Sequence, residues 1–287
     1  MLARTIVWMS GAALVVVPGS AFAANASAVV DYDLGSGFHD SYTDVTTALG
    51  ETSRDTGLGF GANPPLYLSN PYGNPWRPED WVSIGQGGHI TLQLENYALE
   101  LDDAPELNVL VFQQILTQNG QTWYDRQASV SVSENGTDWF QLNNGDAIDF
   151  DTPATGYVFT DAIPQDGFGT HGAIDPADLD QYVESDYGLP MPGTLDHSSL
   201  SAFEAGRADA YGLSGGGNWL DFSETGLSQV GYIRFDVAAD APAYFALDAV
   251  YLNNNAVGAP VPEPGSLALL ALGAAVALKR RRRSIIA

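Results

Sequence analysis

The chain has 287 residues, with 35 Asp and Glu against 11 Lys and Arg, and no cysteine. Disulfides and thiolate metal sites are excluded, and a surface of this sign repels nucleic acid and anionic lipid. With 45% hydrophobic and 11% aromatic residues the chain is built to fold, while 31 Gly and 16 Pro favour turns over long helices.

The first residues, "MLARTIVWMSGAALVVVPGSAFAANA", have the parts of a secretory signal. Arg4 supplies a positive start and Ile6 to Val17 an apolar run. Ala21-Phe22-Ala23 offers small residues for cleavage after Ala23, so residues 1–23 are expected to be a signal peptide. Beyond it the charge is lopsided. Arg54, Arg77, Arg126, Arg207 and Arg234 are the basic residues of the body, and these five against 34 acids leave it at −29. Such crowding attracts divalent cations.

Strand-length runs dominate from there. "HITLQLE" puts Ile90, Leu92 and Leu94 on one face. "LNVLVFQ" is apolar on both faces, as a central strand would be. "ASVSVSENGTDWFQL" reads as a hairpin whose tight turn is Asn135-Gly136, both at positive φ. "VGYIRFDV" and "AYFALDAVYL" are two further strands. Long helical periodicity is absent, and the pattern predicts an all-β sandwich over residues 24–252.

Two stretches break this rhythm. Residues 50–80 are rich in Gly, Pro, Asn and Tyr. Residues 150–205 form an Asp- and Gly-rich insert with the strand "GYVFT" and a short expected helix in "PADLDQYVESD". Residues 253–261 read as a linker to the C-terminal segment.

That segment, 262–287, contains "PEPGSLALLALGAAVALKRRRR". Gly265 to Leu278 has no charge and is expected to be a short transmembrane helix, held with its end in the cytoplasm by Lys279 to Arg283. The order Pro262-Glu263-Pro264, apolar helix, basic cluster resembles the PEP-CTERM sorting signal of Gram-negative bacteria. The resemblance implies that Pro262, Glu263 and Pro264 are the sorting residues. It also implies processing by the membrane enzyme exosortase, an exported envelope or extracellular location, and a producer that makes exopolysaccharide. A plain C-terminal anchor would share the topology without the processing.

The body carries a second resemblance. The succession "VSIGQGGHITLQLENYALELDDAPELNVLVFQQ", "ASVSVSENGTDWFQL", "GGGNWLDFSETGLSQVGYIRFDV" and "AYFALDAVYLNN" is similar to bacterial cell-surface domains of the galactose-binding-like jelly-roll type. The resemblance implies that fold. Asn108, Gln113 and Ala246 stand where the pattern has acids, so each swap removes a charge.

Candidate sites follow from residue chemistry. Calcium takes carboxylate and carbonyl oxygens from loops, and Asp44, Asp102, Asp103 and Asp248 are the candidate metal residues, with solvated loop acids as the alternative. Tyr72, Trp76 and Trp81 in "NPPLYLSNPYGNPWRPEDW" are candidate polysaccharide contacts, because sugars bind aromatic faces; loop packing is the alternative. Asp146, Asp149 and Asp151 in "GDAIDFD" are a possible acid set for a carbohydrate-active hydrolase. Gly212-Leu213-Ser214-Gly215-Gly216 matches G-x-S-x-G but runs from a glycine loop into a strand, the wrong context for a nucleophile. The four histidines show no ligand spacing. The expected role is non-enzymatic binding or scaffolding in the exopolysaccharide or biofilm layer. A hydrolase or a purely structural surface protein are the alternatives.

Overall fold

Strands follow one another along the chain from Ala26 in a computed structural model that describes residues 25–50, 66–67, 81–102, 104–111, 126–152, 154, 157–159, 173–174, 182–195 and 210–262. The expected signal peptide, the span 265–278 and the basic tail lie outside these residues. Among the described residues no helix is long and apolar enough to cross a membrane.

In chain order the strands are β1 (Ala26–Asp33), β2 (Leu66–Tyr67), β3 (Val82–Ile84), β4 (His89–Leu99), β5 (Leu107–Val111), β6 (Gln127–Ser133), β7 (Phe140–Gln141) and β8 (Ile148–Asp149). Then come β9 (Tyr157–Phe159), β10 (Ala173–Ile174), β11 (Tyr182–Glu184), β12 (Asn218–Leu220), β13 (Gln229–Asp236), β14 (Phe245–Leu252) and β15 (Val257–Pro260). The larger sheet runs β1-β4-β13-β6-β7, with β15 beside β4 and β8 beside β6. The smaller sheet runs β12-β5-β14-β3, and β2 pairs β10 while β9 pairs β11. The pairings between these strands are antiparallel. The chain alternates between sheets: β3, β5, β12 and β14 lie in the smaller one, and β4, β6, β13 and β15 in the larger one.

Period-2 alternation decides which faces meet. Ile90, Leu92 and Leu94 of β4, Val130 and Val132 of β6, and Ile233 and Phe235 of β13 point inward from the larger sheet. Leu107, Val109 and Val111 of β5 and Phe245 and Leu247 of β14 meet them in the same core. This is a β-sandwich, as the strand pattern predicts.

Strand β14 does not alternate cleanly, and a bulge explains why. Leu247 pairs Val111 and Ala249 pairs Leu110, so Asp248 is the extra residue. The shift in parity lets Phe245 and Leu247 before it, and Val250 and Leu252 after it, all enter the core.

The outward face of the smaller sheet is covered by part of the insert. Tyr187 packs on Leu110, Ala249 and Tyr251. Asn108 Nδ2 donates to the carbonyls of Tyr187 and Gly216, both at 2.8 Å. Gly217 turns there at φ +85°, where a Cβ would collide with the Asn108 side chain. Burial on both sides accounts for the all-apolar reading of β5. An aspartate at 108 could not donate to either carbonyl, so the departure from the surface-domain pattern has a structural use.

Three expectations change. The Asn135-Gly136 turn is wider than a two-residue turn, since Val132 pairs Phe140 across it. Gly136 alone of the pair has positive φ, and Asn135 Oδ1 instead accepts from the amides of Thr137 at 2.8 Å and Asp138 at 2.9 Å. The end of the expected helix in 176–186 is strand β11, whose Val183 sits opposite Val158; β-branched and aromatic residues there suit pairing better than a helix. Residues 253–261 are not a free linker. They contain β15, which pairs with β4, and Val261 is 7% exposed in the core.

Candidate functional site

Among the described residues, an open cleft of about 560 Å³ lies where the two sheets meet at one end. The larger sheet contributes Leu142, Asn143, Ile148 and Asp149 from the β7–β8 region. The smaller sheet contributes Trp219 of β12, and Asp221 and Glu224 from the turn after it.

Local sequence explains why these groups project there. Leu142 is buried and its amide donates to Val130 O, which ties the start of the wall to β6. The chain then turns through "NNG", with Asn143, Asn144 and Gly145 all at positive φ. Asparagine and glycine are the residues that tolerate this region. The other wall is the 3-10 turn Ser223–Thr225, closed by Gly226 at φ 71°. The two walls are joined directly: the Asn143 amide donates to Glu224 Oε1 at 2.6 Å. Asp221 Oδ1 accepts from the Ser223 amide at 2.7 Å. These bonds hold two carboxylates in place before any ligand arrives.

Trp219 is half-buried, and its Nε1 is a buried donor with no acceptor in the protein. An indole N–H shut away from water normally finds a partner. Carboxylates and an aromatic ring in one cleft can together hold a polyhydroxylated molecule, with no part for an Nε1 that is closed even to water. The acids accept from hydroxyls, and the ring takes an apolar C–H face.

Glu106 supports this wall from beneath. It is 0% exposed, and its two oxygens accept from the amides of Leu101 at 2.9 Å and Phe222 at 3.1 Å. Phe222 follows Asp221 directly. Burial pushes the Glu106 carboxyl up, and the nearby Asp221 charge adds to it, against the lowering effect of the donated amides.

The residues expected from sequence are placed as follows. Trp81 is 2% exposed and stacked on Tyr42 with ring centroids 3.6 Å apart, parallel to Tyr244 at 5.8 Å. It is packing rather than an open sugar platform. Tyr72 and Trp76 lie outside the described residues, as do Asp103, Glu263 and Pro264. Asp44 caps the 3-10 turn Val45–Ala48, accepting from the amide and hydroxyl of Thr46 at 2.9 and 2.7 Å. Those bonds lower its pKa. Asp102 sits in the turn after β4, and Asp248 in the β14 bulge. Among the described residues no group of three His, Asp or Glu side chains is arranged to hold a metal ion. Ser214 is fully buried and donates to Leu189 O, which agrees with a chance match to the nucleophile motif.

Of the acid set in "GDAIDFD", Asp149 lines the cleft. The sequence does not single out Trp219 or Glu224. The available signal was a tryptophan flanked by acids in "NWLDFSE", but nothing in it shows that "NNGDAID" forms the opposite wall.

Pro262 closes the described chain, its carbonyl 3.4 Å from Gln93 Nε2. No curated protein matches this chain. Residues 260–283 match the PEP-CTERM protein-sorting motif. The chain carries an exosortase-read sorting signal and is an exported protein of the cell envelope or extracellular surface.

Proposed function

We propose that the exported body is a non-enzymatic binding module of the exopolysaccharide layer, and that the cleft around Trp219 seats a sugar unit of that polymer. The observation that carries this reading is the half-buried Trp219 beside the positioned carboxylates Asp221 and Glu224 in a cleft of suitable size. The alternation of strands between two sheets supports the finer assignment to a galactose-binding-like jelly roll. The sorting motif supports a setting at the surface, where such a polymer is met. At −29 the body has little attraction for an acidic polymer, which favours neutral sugar units in the cleft.

The test is retention of purified residues 24–261 on the producer's own polysaccharide, followed by titration of released oligosaccharide. Trp219→Ala is expected to weaken binding roughly tenfold, the equivalent of about 1.4 kcal/mol. Asp221→Asn should weaken it without loss of fold. Absence of retention by the wild-type body, or equal retention by Trp219→Ala, removes the reading.

A further inference from the structure

We infer that β15 is a latch that withholds the sorting motif from its processing enzyme until the strand lifts from the sheet. This rests on the sorting reading of residues 260–283 and goes beyond it.

The motif and the fold overlap. The match begins at residue 260, yet Pro260 is the last residue of β15, Val261 is in the core and Pro262 is bonded to β4. Five contacts hold this stretch. Leu99 N donates to Ala256 O at 2.7 Å, Asn96 Nδ2 to Gly258 O at 2.9 Å, and Val261 N to Glu95 O at 2.9 Å. Gln93 Nε2 lies 3.5 Å from Val261 O and 3.4 Å from Pro262 O, on a residue 2% exposed.

Enzymes that read an extended peptide commonly do so through its backbone N–H and C=O groups. At the described start of the motif, the Val261 N–H and the carbonyls of Val261 and Pro262 are already engaged. Pro260 and Pro262 have no N–H to offer, and the Val261 N–H is given to Glu95. A membrane enzyme arriving at this end therefore meets a peptide already paired with its own domain.

The strand is also built to release. "VGAP" brings a glycine and a proline, and Val257, Ala259 and Pro260 are exposed. Such an edge opens locally at a cost below that of global unfolding. Access of the enzyme then tracks the open population of β15. Gln93 is a positioning residue in this scheme: it acts on processing through the carbonyls it holds.

The absence of cysteine makes a direct test possible. Val257 pairs Ala98, and the neighbouring Leu99–Ala256 bond makes them a non-hydrogen-bonded pair. Their Cα atoms are then about 4.5 Å apart, within disulfide range. The full-length Ala98→Cys/Val257→Cys variant is expressed in the producer, and conversion of precursor to trimmed protein is followed by pulse-chase. Oxidised, it should be trimmed roughly tenfold more slowly than wild type, with the rate restored by dithiothreitol. Gln93→Ala should be trimmed faster than wild type, and purified 24–261 carrying it should still melt cooperatively. A formed disulfide with wild-type trimming, or an unchanged rate in Gln93→Ala, overturns the latch while leaving the sorting signal standing. A wild-type chain that is never trimmed overturns the sorting reading and the latch together.

Discussion

Asn25 and Val261 bond to the same residue: the Glu95 amide donates to Asn25 O at 2.8 Å, and the Val261 amide donates to Glu95 O at 2.9 Å. The start and end of the folded body thus meet on one edge of β4. The edge has room because β1 pairs it as far as Leu94, and β15 takes over from Asn96. Asn25 and Pro262, the described residues nearest the two expected address segments, therefore lie at the same edge.

Removing β15 tests whether it belongs to the fold. Truncation to residues 24–255 exposes the partners of Val261, whose burial is worth about 2 kcal/mol. The melting temperature should fall by roughly 4–8 °C relative to 24–261. An unchanged melt would mean that residues 253–261 are a stalk after all.

Glu106→Ala leaves the Leu101 and Phe222 amides buried without their acceptor. The expected loss is about 2–4 kcal/mol in denaturant unfolding. The pH dependence has a definite sign. The folded carboxyl titrates above its ordinary 4.5, so the folded state binds more protons just above that pH. This group's contribution is therefore full below 4.5 and falls as pH rises through the folded value. The stability of wild type relative to Glu106→Gln should decline over that interval. A difference that grows with pH contradicts the assignment.

Asn108→Asp replaces the donor held by Tyr187 O and Gly216 O with a carboxylate facing two carbonyls. The expected cost is about 3 kcal/mol. Limited proteolysis should cut within 185–217 sooner than in wild type. Wild-type protection in this variant would show that the insert docks without the amide.

The body's −29 charge makes stability sensitive to ions. Sodium chloride should raise the melting temperature by screening self-repulsion. Calcium at matched ionic strength is expected to add several degrees if it binds the native loops. Coincident melts in the two salts speak against calcium bound in those loops.

Much of this protein is legible without coordinates. Strands β4, β6 and β13 alternate because one face of each supplies the apolar core, and a face used in this way must be written in every second residue. The terminal addresses are read from order and charge, which need no tertiary partner. Other features lie beyond any local pattern. "FALDAVYL" crosses the core correctly only after the bulge at Asp248 resets its parity, and a bulge is defined by the partner strand. "VGAP" has too little side chain to announce a strand; it pairs because β1 leaves part of the β4 edge open. Trp219 and Glu224 face Asn143 and Asp149 across 70 residues or more of sequence. Their meeting depends on how the two sheets are stacked, a relationship carried by the whole core and by no single segment.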